Sequence, residues 1–203
     1  VGLGDIGLEV ARRARAFDMN VLYHKRSPWL PEFEQMAGVR HVPLAELLAV
    51  SDVVSLHIAA TPETKHLVDA SFCKALRPNA ILVNTTRGSV IDDAALAEAV
   101  RTRGIKVGLD VYNDEPGAGD KVFASGLLDL PGVYGTHHVG ASTTQAQDAV
   151  AAEAIRIVDT WLRTGDAPNC VNRATATSAA CLLSVRHLNR PGVLAHIFMA
   201  LRS

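Results

Sequence analysis

Val1-Gly2-Leu3-Gly4-Asp5-Ile6-Gly7 opens the chain. Glycines at G-x-G-x-x-G spacing do three jobs where a nucleotide diphosphate meets a helix. The first makes a tight turn, the second lets the backbone approach the pyrophosphate, and the third lets the helix pack against its strand. The diphosphate rests on the helix N-terminus, where free N–H groups and the dipole favour negative charge. The motif is weak alone and gains meaning from its context. Here Ile6, Val10, Ala14 and Phe17 share one face of an expected helix over 6–17, and residues 20–23 open a short strand. Gly2, Gly4, Asp5, Ile6 and Gly7 are therefore candidate cofactor-binding residues. Such a loop follows a β-strand, and nearly all of that strand is absent before Val1, so the chain reads as a fragment with a truncated first strand.

Outward from this loop, short apolar runs alternate with helical stretches, the pattern of a parallel α/β sheet. Helices are expected over 43–50, 69–76 and 92–103, the last closed by Gly104. Strands are expected over 52–58, 80–83, 105–111 and 132–136. Ser142 with Gln145 forms a capping-box pattern before a long helix ending near Arg163, with Ala146, Val150, Ala154, Ile157 and Trp161 on one stripe. The fold class is α/β, a Rossmann-type doubly wound parallel sheet. The expected domains are a dinucleotide-binding domain over 1–140, a long helix over 141–164 returning to a substrate domain, a linker over 165–180, and the truncated start of another domain over 181–203.

Composition narrows the function classes. The 203 residues are 48% hydrophobic and 20% charged, ordinary for a globular chain and unlike a disordered one. Twenty Lys and Arg against 21 Asp and Glu leave a net charge of -1, with no basic excess to draw the chain to nucleic acid or an anionic membrane. No apolar run approaches the roughly 20 residues of a membrane span. Cys73, Cys170 and Cys181 are too few and too scattered for a disulfide framework or a metal site, so no metal and a reducing compartment, the cytoplasm, are expected.

The dinucleotide fingerprint calls for an acidic residue about 20 positions on, to bind the ribose 2′-hydroxyl. Lys25 stands there, followed by Arg26 and Ser27. These three suit a 2′-phosphate instead, through charge-assisted hydrogen bonds. The cofactor is thus NAD or NADP, with NADP tolerance indicated by Lys25 and Arg26.

Three further segments follow expected strands, at the edge where open α/β sheets bind ligands. They are Asn84-Thr85-Thr86-Arg87-Gly88, then Leu109-Asp110-Val111-Tyr112-Asn113-Asp114-Glu115-Pro116, then Thr136-His137-His138-Val139-Gly140-Ala141-Ser142. Singly, an Arg, a Glu or a His at a strand end is usually a surface or structural residue. In order, with the glycine loop upstream, they resemble the NAD(P)-dependent D-2-hydroxyacid dehydrogenases, whose motifs are N-x-x-R-G, L-D-V-[FY]-x-x-E-P and T-P-H-[IV]-G-[GA]-[ST]. The resemblance covers about residues 1–163. It implies that Arg87 orients the substrate, Glu115 supports the histidine and His138 is the acid/base. It also implies that Thr85, Thr86, Arg87, Asp110, His138, Gly140 and Ala141 line the cofactor. One departure is His137, where the family has Pro; His138 keeps the family spacing to Val139-Gly140.

The residue types fit the implied chemistry. Histidine exchanges protons near neutral pH, and a carboxylate beside it favours the imidazolium. Arginine offers a fork of donors to a carboxylate or carbonyl oxygen. The partner is then a small 2-hydroxy or 2-oxo acid, and a homo-oligomer, dimer or more, is expected.

Asn189-Arg190-Pro191-Gly192-Val193-Leu194 resembles the strand-to-helix turn that opens an ACT-like α+β domain. That tail points to the phosphoglycerate dehydrogenase branch, oxidising D-3-phosphoglycerate to 3-phosphohydroxypyruvate in serine biosynthesis, and this reading ranks first because the tail is a whole-domain signal whereas the Lys25-Arg26 pair is a local substitution. Lys25 and Arg26 point to NADP-dependent glyoxylate/hydroxypyruvate reductases. A dinucleotide-sensing, co-repressor-like protein is a third reading.

Overall fold

A computed structural model describes residues 1–116, 123, 125–172 and 192–201 of the chain. They fall into two units, Val1–Ala141 and Ser142–Ser203.

In the first unit, helix α1 (Asp5–Ala16) starts at Gly4 and carries Asp5 in its first turn and Arg13 and Arg15 in its last, each complementing the helix dipole. Its buried residues are Gly7 and Ala11. The face expected from Ile6, Val10 and Phe17 is instead exposed, Ile6 at 71% and Phe17 at 79%. The helix approaches the strands through its small residues, which leaves the large apolar ones outside. Strand β1 (Val21–Tyr23) follows, then helix α2 (Pro31–Ala37) and strand β2 (Val39–His41), which pairs parallel with β1. Neither α2 nor β2 is among the expected elements.

Four more strands, β3 (Val53–Leu56), β4 (Ile81–Asn84), β5 (Lys106–Leu109) and β6 (Val133–Gly135), form a parallel sheet in that order. Helix α3 (Leu44–Val50) leads into β3, α4 (Ala70–Ala75) connects β3 to β4, and α5 (Asp93–Arg103) connects β4 to β5. Asp69 caps α4 by accepting the Phe72 N–H, and Asp92 caps α5 by accepting those of Ala94 and Ala95. Gly104, left-handed at φ 66°, ends α5 as expected. Strands β3, β4 and β5 turn their second and fourth residues into the core: Val54 and Leu56, Leu82 and Asn84, Val107 and Leu109. Cys73 is buried there as a small hydrophobe, and burial pushes its thiol up to about 11.

The register does the positioning. Leu56 pairs with Asn84, Asn84 with Leu109 and Leu109 with Gly135. The next residues, His57, Thr85, Asp110 and Thr136, therefore leave the sheet in one row at its C-terminal edge. Val1 and Gly2 tie the two sheets together at that edge. The Val1 nitrogen donates to the Ser55 carbonyl, His57 N–H donates to the Val1 carbonyl, and Gly2 N–H donates to the His24 carbonyl. A cavity of about 1080 Å³ lies between β1 and β3.

In the second unit, helix α6 (Thr144–Thr164) is capped by Thr143, whose hydroxyl oxygen accepts the Ala146 N–H at 3.1 Å. The expected Ser142–Gln145 box is thus displaced by one residue. No residue of α6 is buried. Helix α7 (Val193–Leu201) occupies the helical end of the expected strand-to-helix turn, whereas residues 181–191 of the expected domain start lie outside the described residues. Among the described residues, no helix is long and apolar enough to cross a membrane, and no cluster of His, Cys, Asp or Glu is arranged to hold a metal ion.

Candidate active site

The glycine loop fits a diphosphate by its own geometry. Gly2 sits at φ +86°, and a β-carbon there would lie 2.2 Å from the His57 carbonyl oxygen. Only glycine satisfies both conditions. A β-carbon on Gly7 would press on the Gly2 carbonyl at 2.8 Å, whereas one on Gly4 would meet nothing within 4 Å. Gly4 thus faces open space at the start of α1, and no side chain caps that end. The orphan N–H groups of the first turn, including those of Asp5 and Ile6, are available to an anion. His57, packed behind the loop, is pushed down to about 4, mainly by burial.

Lys25, Arg26 and Ser27 leave β1 beside this loop. The Lys25 ammonium stands 4.2 Å from the centre of the Trp29 ring. Trp29 is fixed in turn: its indole N–H donates to the Leu3 carbonyl at 3.1 Å, its backbone N–H donates to the Tyr23 hydroxyl at 2.8 Å, and its ring stacks on Phe33. The basic strand end and the glycine loop are therefore one connected unit.

Asn84 organises the second segment. It ends β4 at a core-facing position and is fully buried, so its amide needs partners. Its oxygen accepts the Thr86 N–H at 3.0 Å and the Thr86 hydroxyl at 2.7 Å, and its NH₂ donates to the Arg87 carbonyl at 3.0 Å. These bonds fold residues 85–87 into a tight turn with Arg87 exposed. Gly88 comes next, where a β-carbon would lie 2.0 Å from the Tyr112 carbonyl carbon. That close approach brings the turn carrying Arg87 against the loop carrying Glu115. Asn84 is absent from the expected site residues; the signal for it is a polar residue at the core-facing end of an apolar strand.

Glu115 and His138 meet. His138 Nδ1 lies 2.8 Å from Glu115 Oε2, and Glu115 Oε1 accepts the Tyr112 N–H at 3.0 Å. Burial alone would raise the Glu115 carboxyl; the His138 and Tyr112 hydrogen bonds and the charges of His138 and Arg87 outweigh it and hold the group below its ordinary range. His137, next in sequence, does not carry this contact. Asp110 is buried and bonds to three donors in the same loop: the Thr136 hydroxyl, the Val139 N–H at 2.9 Å and the Gly140 N–H at 3.1 Å. The Tyr112 hydroxyl donates to the Thr136 carbonyl at 3.0 Å, joining the same two segments again. Arg87, Glu115 and His138 thus gather at the sheet edge, with Thr85, Thr86, Asp110, Gly140 and Ala141 around them. The glycine loop and the Lys25 unit flank them on the β1 side.

Comparison with known proteins shows the family. The family described as D-isomer specific 2-hydroxyacid dehydrogenase, NAD binding domain, matches residues 1–140. A glyoxylate reductase of Thermococcus litoralis is 36% identical over 180 residues, 88% of this chain and 53% of that protein. A D-3-phosphoglycerate dehydrogenase of Methanocaldococcus jannaschii is 38% identical over 175 residues, 85% of this chain and 32% of that protein. The crystal structure of an NADPH-dependent glyoxylate/hydroxypyruvate reductase from Sinorhizobium meliloti, in complex with NADP and malonate, superposes with a TM-score of 0.70 at 32% identity, covering 82% of this chain and 50% of that one. The chain spans about half the length of the glyoxylate reductases it matches and about a third of the phosphoglycerate dehydrogenase. The chain belongs to the D-isomer-specific 2-hydroxyacid dehydrogenase family, with residues 1–140 as its NAD-binding domain.

Proposed function

We propose that the protein interconverts a small 2-oxo acid and its D-2-hydroxy acid by hydride transfer with NAD or NADP. The observation that carries this reading is the 2.8 Å contact of His138 Nδ1 with Glu115 at the sheet edge, beside the turn that bears Arg87.

The nicotinamide, when bound, supplies hydride acceptance and donation. Gly2, Gly4 and Gly7 receive its diphosphate at the start of α1, and Thr85, Thr86, Asp110, Gly140 and Ala141 line its path. Arg87 orients the acid through a fork of donors on the carboxylate or oxo oxygen. His138 carries the proton. Neutral His138 takes it from the hydroxyl through Nε2 in oxidation, and protonated His138 returns it to the oxo oxygen in reduction. Glu115 holds Nδ1 protonated, which fixes the tautomer and compensates the imidazolium charge.

The substrate reading ranks glyoxylate or hydroxypyruvate with NADPH first. Glyoxylate reductases recur among the relatives, and Lys25 and Arg26 take the place in the sequence where the dinucleotide fingerprint calls for an acid, which supports NADPH. D-3-phosphoglycerate ranks second, supported by the phosphoglycerate dehydrogenase relative and the ACT-like sequence of the tail. The full-length protein should be assayed by nicotinamide absorbance with glyoxylate, hydroxypyruvate and phosphohydroxypyruvate, each with NADH and NADPH. Preference for the unphosphorylated acids with NADPH supports the first reading. Preference for phosphohydroxypyruvate replaces it with the second, and no turnover with any pair rejects both.

A further inference from the structure

His138 has a backbone conformation that its residue type disfavours. Its φ is +58°, the left-handed region, which is unfavourable for a non-glycine residue. Something around it must over-determine that turn. The residues on either side, Thr136, Val139 and Gly140, share one partner, the Asp110 carboxylate. Oδ1 takes the Thr136 hydroxyl and the Val139 N–H, and Oδ2 takes the Gly140 N–H. The carboxylate is 26 to 30 residues away in sequence and leaves the sheet one strand over. It is 6% exposed, so its negative charge is matched by these donors rather than by water.

We propose that Asp110 is a positioning residue: its buried carboxylate clasps the 136–140 turn and holds His138 in the left-handed conformation that places Nδ1 on Glu115. Its part in the reaction therefore runs through His138, beyond the cofactor-lining role implied by its motif. The inference rests on His138 being the acid/base, as proposed above.

Asp110→Asn tests it. An asparagine keeps one oxygen for Thr136 and Val139 but turns an NH₂ toward the Gly140 N–H, donor against donor. In the full-length protein, kcat should fall about 10- to 100-fold, because small misplacements of a reacting group cost that much. The Kd for the cofactor, measured by fluorescence titration, should change by a smaller factor than kcat, since the same side chain also lines the cofactor's path. With 4-deuterated NAD(P)H, the isotope effect on kcat should rise, since the misaligned step becomes rate-limiting. Amide hydrogen exchange over residues 137–141 should quicken. A loss of kcat with an unchanged isotope effect would mean fewer folded sites and would overturn the proposal. So would weakened cofactor binding with kcat intact, which would make Asp110 a cofactor ligand only. Thr136→Val removes one of the three donors and should give a smaller change of the same kind, which keeps the test decisive where Asp110→Asn fails to fold. The exchange measurement needs no turnover. A wild-type protein inert toward every 2-oxo acid would reject the proposed function, while exchange would still report on the clasp.

Discussion

The His138 imidazole and the Glu115 carboxylate, 23 residues apart in sequence, are joined at 2.8 Å by two loops leaving adjacent strands. Glu115 is braced by the Tyr112 N–H on its other oxygen, so the histidine docks on a fixed acceptor. Replacing Glu115 by Gln keeps a hydrogen-bond acceptor and removes the charge. We expect kcat to fall about 10- to 100-fold with the KM for the cofactor nearly unchanged, because the imidazolium loses its compensating charge. Steady-state kinetics in both directions checks this.

Arg87→Lys retains a positive charge but loses the planar fork. The KM for the 2-oxo acid should rise about tenfold or more, corresponding to the loss of roughly 1.5–3 kcal/mol from a charged hydrogen bond. The cofactor Kd should hold. Arg87→Ala should cost more on the same axis.

Two glycines should part company. Gly88→Ala forces a β-carbon into the Tyr112–Asn113 backbone, which cannot yield as a side chain would. A loss on the order of 3 kcal/mol is expected, seen as a fall in Tm of roughly 6–12 °C. Gly4→Ala meets nothing within 4 Å at an ordinary φ of -90°, so Tm should stay within about 2 °C. Its β-carbon instead occupies the space proposed for the diphosphate, and cofactor binding should weaken. Thermal melts and cofactor titration of the two variants separate the effects.

Cofactor choice should follow the strand end after β1. Lys25→Ala with Arg26→Ala should raise the KM for NADPH by about tenfold or more while leaving that for NADH near its original value. Trp29→Leu removes the ring that supports the Lys25 ammonium and should move the preference the same way to a smaller extent.

The carboxylates set an acid limit on stability. Burial raises the Glu115 and Asp110 carboxyls, but hydrogen bonds and the His138 charge outweigh it, and both sit below their ordinary values of 4.5 and 3.8. A carboxyl lowered on folding stabilises the fold above its unfolded value and loses that contribution as pH falls through the folded one. Stability of the nucleotide-binding unit should therefore drop between about pH 5 and pH 3. Glu115→Gln should flatten that slope, as read from Tm against pH.

Much of this arrangement is legible in the sequence because long, regular elements leave clear traces. Helix α5 is bracketed by the Asp92 cap and Gly104, and the strand ends carry the Arg, Glu and His motifs. Helix α2 and strand β2 are harder. The helix has seven residues and buries none of them, and the strand has three and buries Val39, so neither shows a period. Pro31 at the start and Gly38 after the end of α2 are the remaining clues. The α1 face misleads because Gly7 and Ala11 make the contact, and small residues add little to an apolar stripe. Asn84 escapes because one polar residue at a strand end resembles a loop start, and its burial emerges from the register with Leu56 and Leu109.

The choice between two adjacent histidines tests the account most directly. His138→Asn and His137→Asn should be compared in the full-length protein for kcat with the preferred 2-oxo acid under saturating NAD(P)H. We predict a loss of at least about 100-fold for His138→Asn, and less than about threefold for His137→Asn, which lacks the Glu115 contact. A His138 variant that retains turnover, or a His137 variant that loses it, would contradict the assignment of the acid/base and the reaction built on it.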